Sequence, residues 1–216
     1  MVPLAHRIYD NVLTAVELSK RYSGRPVIDG WSYEWPKPGV HLIAGANGVG
    51  KSTLLGMLAG ALVPDAGEVW IRGVSLSARP ARALRCLAYC PADCPVFPFL
   101  TGEEWLAFVG SVRGGWDTET LDQLTESFRL HAYLKTNFGH MSLGTARKFL
   151  LLGTVAAEAD VLILDEPSNA LDAASLAALQ ATLRRLAKTR LILMSCHETS
   201  RHAAFGIRPE NTVTLT

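Results

Sequence analysis

The sequence predicts an α/β chain in which a parallel-sheet core carries an antiparallel β layer and an inserted helical subdomain. Three observations predict it. The runs 40–44 (VHLIA), 161–164 (VLIL) and 191–194 (LILM) are short and nearly unbroken in apolarity, which suits strands covered on both faces rather than alternating, half-exposed ones. Each run is followed by a helical segment, at 51–61, at 173–188 and just after His197, and strand–helix alternation builds a parallel sheet with crossover helices. Between 91 and 157 the pattern turns helical without intervening strands.

Along the chain, residues 12–43 are strand-like and broken by Gly24, Gly30, Pro36, Pro38 and Gly39, and a further strand candidate at 68–71 ends in the turn signal Arg72-Gly73. These supply the antiparallel layer. In the helical stretch, Thr101 with Glu104 has the form of a capping box ahead of Trp105, Phe108, Val109 and Val112. A second helix is expected from Asp117, with Leu121, Leu124 and Phe128 spaced by three and four. A last short strand is expected at 212–215. The division is therefore a core of residues 1–90 and 158–216 and a helical subdomain of 91–157.

Composition removes several classes. The 216 residues, 49% of them hydrophobic, with a mean hydropathy of +0.17, describe a folded chain of about one domain. Lys+Arg 21 against Asp+Glu 20 leaves a net charge of +1 and no footprint for nucleic acid. Residues 1–11 lack the apolar stretch of a leader, and the longest apolar run, 150–164, is interrupted by Glu158 and Asp160, short of the roughly 20 residues a membrane helix needs. Cys86, Cys90, Cys94 and Cys196 form no CxxC pair. Pro91 and Pro95 argue against one helix presenting the first three to a metal, so reduced, mostly buried thiols are expected.

The chemistry begins at Gly45-Ala46-Asn47-Gly48-Val49-Gly50-Lys51-Ser52-Thr53, which fits G-x-x-x-x-G-K-[ST] between a buried strand and a helix. Gly45, Gly48 and Gly50 allow backbone angles that turn successive N–H groups toward phosphate oxygens, and the helix N-terminus adds partial positive charge. Lys51 supplies a mobile charge for the terminal phosphates, and Ser52 offers a hydroxyl to Mg²⁺. Asn47 and Thr53 complete the candidate binding loop. The core is thus read as that of a P-loop NTPase. Asp165 and Glu166 close the run at 161–164, the end of the strand where ligands bind in open α/β sheets. Adjacent residues there point in different directions; Asp165 suits the metal shell and Glu166 the general base. Asn169-Ala170-Leu171-Asp172 lacks the lysine of a guanine-reading motif. Arg147-Lys148 and Arg184-Arg185 read as solvated helix faces.

Together these motifs resemble those of the nucleotide-binding subunit of an ATP-binding cassette (ABC) transporter, over nearly the whole chain. Residues 165–172 resemble the family's Walker B motif running into its D-loop, His197 matches its switch histidine, and Tyr22 falls where it keeps an aromatic residue stacked on adenine. Met141-Ser142-Leu143-Gly144-Thr145 stands at the family's signature L-S-G-G-Q, ahead of a helix expected at 146–157. Ser142 and Gly144 match; Leu143 and Thr145 depart. Ser142 also reads as a helix N-cap, and Leu143 is expected to have ordinary backbone angles with its side chain packed beneath the loop. Ala92 stands where the family keeps a glutamine that contacts Mg²⁺. Asp93 shifts into that role, or a water does, or coupling works without it.

The resemblance implies ATP and Mg²⁺ as ligands and an ATPase that powers a membrane transporter. It implies that two such subunits, identical or related, pair head to tail, with ATP between one subunit's Lys51, Ser52, Asp165, Glu166 and His197 and the other's Ser142 and Gly144. It implies a cytoplasmic chain, peripheral on the membrane through an integral membrane partner. The aromatics Phe97, Phe99, Trp105 and Phe108 are the expected docking surface. The alternative is a slow-hydrolysing, nucleotide-switched binding module of the same ATPase family. A soluble member acting on ribosomes or DNA is disfavoured by the near-neutral charge and single cassette.

Overall fold

In chain order the elements are β1 (Leu13–Tyr22), β2 (Arg25–Trp35), β3 (Gly39–Ala44), α1 (Lys51–Leu58), β4 (Ala66–Ile71), β5 (Val74–Ser75), α2 (Pro80–Ala83), β6 (Leu87–Cys90), α3 (Gly102–Arg113), α4 (Thr118–Ser127), α5 (Leu143–Val155), β7 (Val161–Leu164), α6 (Ala173–Leu186), β8 (Leu191–Met194), α7 (His202–Phe205) and β9 (Thr212–Thr214). They come from a computed structural model that describes residues 11–216. The leader reading for 1–11 therefore lies, Asn11 apart, outside the described residues.

Two sheets form. One is wholly parallel, in the order β6-β7-β8-β3-β9, and the other antiparallel, β2-β1-β4-β5. The three apolar runs are the central strands of the parallel sheet, and every residue of β7 and β8 is buried. Successive residues serve opposite faces. Leu162, Leu164, Ile192 and Met194 join α3–α6 in one apolar cluster, whereas Val161, Ile163, Leu191 and Leu193 join α1 and the antiparallel sheet in the other. The edge strand β6 was not singled out from sequence.

Helix starts follow their caps. Thr101 and Glu104 make the reciprocal capping box, with Thr101 Oγ1 accepting from the Glu104 N–H at 3.2 Å and Glu104 Oε2 from the Thr101 N–H at 2.9 Å. Asp117, Ser142 and Asp172 accept from the N–H groups of Thr120, Thr145 and Ser175. Because Ser142 caps it, α5 begins at Leu143 rather than 146. The first helix ends at Leu58, not at 61, before Gly60 turns into left-handed backbone (φ 72°). Cys86 sits in a 3₁₀ turn and Cys90 in β6, so the spacing of four does not align them on one helix; all four cysteines are free thiols. Among the described residues, no helix is long and apolar enough to cross a membrane.

Candidate functional site

The loop after β3 is shaped by close approach. A Cβ on Gly45 would stand 2.8 Å from the Leu215 carbonyl oxygen, and one on Gly50 would stand 2.8 Å from Val27 Cγ1. Both residues also hold positive φ, 148° and 111°, so a side chain is excluded by space and by conformation. Gly50 delivers the chain into α1, whose first residue is Lys51. The lysine is buried, and its Nζ donates to the carbonyls of Gly45 and Ala46, each at 2.9 Å. An ammonium has three donors, so one remains for a phosphate oxygen.

A cleft of about 360 Å³ opens over this loop. Asn47, Gly48, Gly50, Lys51, Ser52 and Thr53 form its floor. Tyr22, at the end of β1 and 48% exposed, forms one wall with Val27, and Asp165, Glu166 and His197 form the other. Ten of the sequence-predicted site residues therefore meet in one place. Gly45 shapes the loop from behind without lining the cleft, and Ser142 and Gly144 lie elsewhere, at the start of α5.

Register explains the carboxylate wall. Leu164 pairs with Met194 across β7 and β8, which sets Asp165 beside Ser195. The Ser195 hydroxyl, fully buried, donates to Asp165 Oδ1 at 2.5 Å and accepts from the Glu166 N–H at 2.9 Å. Glu166 has left-handed backbone, φ 48°, and Oε1 is buried without a hydrogen bond. His197 Nε2 lies 3.2 Å from that oxygen, outside hydrogen-bond alignment, and the His197 N–H donates to Oε2 at 3.4 Å. Sequence reasoning missed Ser195. Its signal was a polar residue directly after an apolar strand, one strand over from the acidic pair.

Several expectations need correction. Leu143 has ordinary backbone angles but is 68% exposed, because it opens α5 ahead of the buried stretch that starts at Ala146. Arg147 is no solvated residue: it is 2% exposed, with Nη1 donating to the carbonyls of Pro91 and Asp93 and Nη2 to those of Asp165 and Glu166. Lys148 pairs with Asp172 at 2.5 Å. Arg184 is exposed, as a solvated helix face requires, and donates to the Ala204 carbonyl, whereas Arg185 is half-buried and donates to Thr120 Oγ1. Trp105 is buried, edge-on to Phe138 at 5.9 Å, whereas Phe97, Phe99 and Phe108 stay exposed. A Cβ on Gly144 would stand 2.8 Å from the Ala170 carbonyl oxygen, which accounts for glycine there. Ala92 and Asp93 are both exposed, and neither lines the cleft.

The donor set fits Mg²⁺. Ser52, Thr53, Asp165 and Glu166 bring hard oxygen atoms, two of the residues being carboxylates, to the phosphate loop, which suits a cation held by one or two carboxylates, waters and substrate phosphates. Glu166, which lines the same cleft, has a buried Oε1 without a hydrogen bond.

A family model described as "ABC transporter" matches residues 28–169. The chain is 28% identical over 166 residues to the "Probable multidrug ABC transporter ATP-binding protein YbhF" of Escherichia coli (strain K12), covering 76% of this chain and 29% of that protein. It is 29% identical over 192 residues to the "Uncharacterized ABC transporter ATP-binding protein YhcH" of Bacillus subtilis (strain 168), covering 86% and 62%. The chain thus spans less than two thirds of either relative. Among solved structures, "Structure of ATP binding subunit of ABC transporter" superposes with a TM-score of 0.84 at 26% identity, over 94% of this chain and 85% of that one. "Structure of a bacterial Atm1-family ABC exporter with ATP bound" shares the fold, with a TM-score of 0.79 at 20% identity over 97% and 38%.

Proposed function

The chain belongs to the ABC transporter family, and on that premise we propose that it binds and hydrolyses ATP to energise a membrane transporter. The observation that carries this is the single cleft joining the phosphate loop, Lys51 and the pair Glu166–His197. Loop N–H groups and Lys51 take the phosphates. Ser52 and Asp165 would hold Mg²⁺, which would neutralise charge on the phosphate oxygens. Glu166 accepts the proton of the attacking water as its oxygen bonds to the terminal phosphorus, the bond to the bridging oxygen breaks, and ADP and phosphate leave. His197 orients the terminal phosphate, and Tyr22 stacks on the base.

A second nucleotide-binding subunit, identical or related, contributes its Ser142 and Gly144 to this site; the absence of these two from their own chain's cleft supports that division. An integral membrane subunit docks at Phe97, Phe99 and Phe108, exposed at 52%, 68% and 54%, and holds the chain on the cytoplasmic face. Residues 91–157 respond as the inserted unit against a core of 1–90 and 158–216.

The test is Glu166→Gln. Turnover is expected to vanish while ATP binding persists, and hydrolysis at the wild-type rate in that variant would remove Glu166 from the base role. The exposed Ala92, which brings no side-chain acceptor to the cleft, favours a second reading, a slow nucleotide-driven switch. Tight ATP-locked dimers with negligible Lys51-dependent turnover would select it.

A further inference from the structure

Of the two buried cations among the described residues, Lys51 belongs to the phosphate loop and Arg147 does not. The Arg147 guanidinium binds main-chain carbonyls: Pro91 and Asp93 (3.1 Å) through Nη1, Asp165 (2.7 Å) and Glu166 (3.2 Å) through Nη2. Its Nε has no partner. A buried charge held by carbonyls is costly, and a planar fork is the side chain that can serve two segments at once, one nitrogen to each.

One segment lies at the site and the other leads away from it. Pro91 and Asp93 flank Ala92, where the chain leaves β6 for the helical stretch; Asp165 and Glu166 end β7. Glu166 is held in left-handed backbone, φ 48°, which a residue with a long side chain adopts only under constraint. Its N–H donates to Ser195 and its carbonyl accepts from Arg147, so both sides of the residue are fixed and the direction of its carboxylate is set.

We propose that Arg147 is a positioning residue that locks the main chain of Glu166 and ties it to segment 91–93. Displacement of the helical insertion then reaches the catalytic carboxylate through one guanidinium instead of through a side chain at Ala92. This rests on the reading of Glu166 as the base.

Two variants test it. Arg147→Lys keeps the charge but has one nitrogen for two segments; Arg147→Met removes the buried charge and leaves the four carbonyls without that donor, so folding is followed beside activity. ATP hydrolysis, thermal unfolding and peptide-level hydrogen exchange are measured on wild type, both variants and Lys51→Ala. Expected is a fall in kcat of about 100-fold, the scale of a small misplacement of a catalytic group, with KM for ATP within about twofold and faster exchange in both 91–97 and 165–170. Wild-type kcat per folded molecule in both variants, whatever happens to the melting temperature, overturns the proposal. Should wild type itself show no Lys51-dependent turnover, the ATPase reading fails separately, and exchange decides: faster in both segments upholds the linkage, faster in one or neither overturns it.

Discussion

Ser195→Ala is the sharpest probe of the carboxylate wall, because one hydroxyl serves two buried groups. In the wild type that hydroxyl donates to Asp165 Oδ1 at 2.5 Å and accepts from the Glu166 N–H at 2.9 Å, at a residue with no exposure. Deleting it removes a charge-assisted bond, worth about 1.5–3 kcal/mol, and orphans a buried N–H at about 1–3 kcal/mol. The space vacated is smaller than the ~30 Å³ share of a water molecule, so solvent does not restore either bond. The two losses share an atom and do not add in full, which gives about 3 kcal/mol. For a chain of this length each kcal/mol moves Tm by about 2–4 °C, so thermal unfolding followed by circular dichroism should show a drop of about 6–12 °C. A drop under about 1 °C would refute the reasoning, since it would mean that neither buried partner depends on that hydroxyl.

Two further outcomes follow from the same structure. Asp172 caps α6 through Ser175 and pairs with Lys148, and the Lys148 hydrogen bond first, then the Ser175 N–H, hold its carboxyl well below the usual carboxylate range. Asp172→Ala should cost about 1 kcal/mol at neutral pH; because the folded-state value is depressed, that contribution is full above the unfolded value of about 3.9 and is lost as pH falls toward the folded value, so the Tm gap between wild type and variant should be flat from pH 7 to about 5 and narrow only in stronger acid. Burial pushes the Cys90 thiol up to about 11, against the opposing Arg147 charge; mass spectrometry after alkylation at pH 8 should find Cys90 unmodified in the folded protein and modified in denaturant, and equal labelling in both would contradict its burial.

What the sequence made legible follows from range of interaction. The central strands Val161–Leu164 and Leu191–Met194 were readable to the residue because both faces are covered and apolarity runs unbroken. Thr101 and Asp117 were readable because a cap is a contact within four residues. The phosphate loop is likewise local. Arg147 was misread because its partners lie 18 to 56 positions away, and nothing on its own helix reveals that Pro91 and Glu166 carbonyls converge there. Ser195 depended on strand register, set by the pairing of Leu164 with Met194. Trp105 could not be separated from Phe97, Phe99 and Phe108 by residue type; its contact with Phe138 is tertiary. The edge strand Leu87–Cys90 has four residues, one of them alanine, and follows a helical turn, too little pattern to register.

The two apolar clusters give the site its mechanical logic. Lys51 begins α1, whose Leu54, Leu55, Met57 and Leu58 pack in the cluster shared with the antiparallel sheet. Arg147 rides on α5, whose Phe149, Leu151 and Val155 pack in the cluster on the opposite face of the parallel sheet. On the reading proposed above, the phosphate-binding and carboxylate-positioning charges are therefore anchored in separate bodies of side chains that share the strands β3, β6, β7 and β8. Protein interiors pack densely and transmit strain. On the proposed link through Arg147, movement of the helical side reaches Glu166 through α5, whereas Lys51 and its loop stand on α1 in the other cluster.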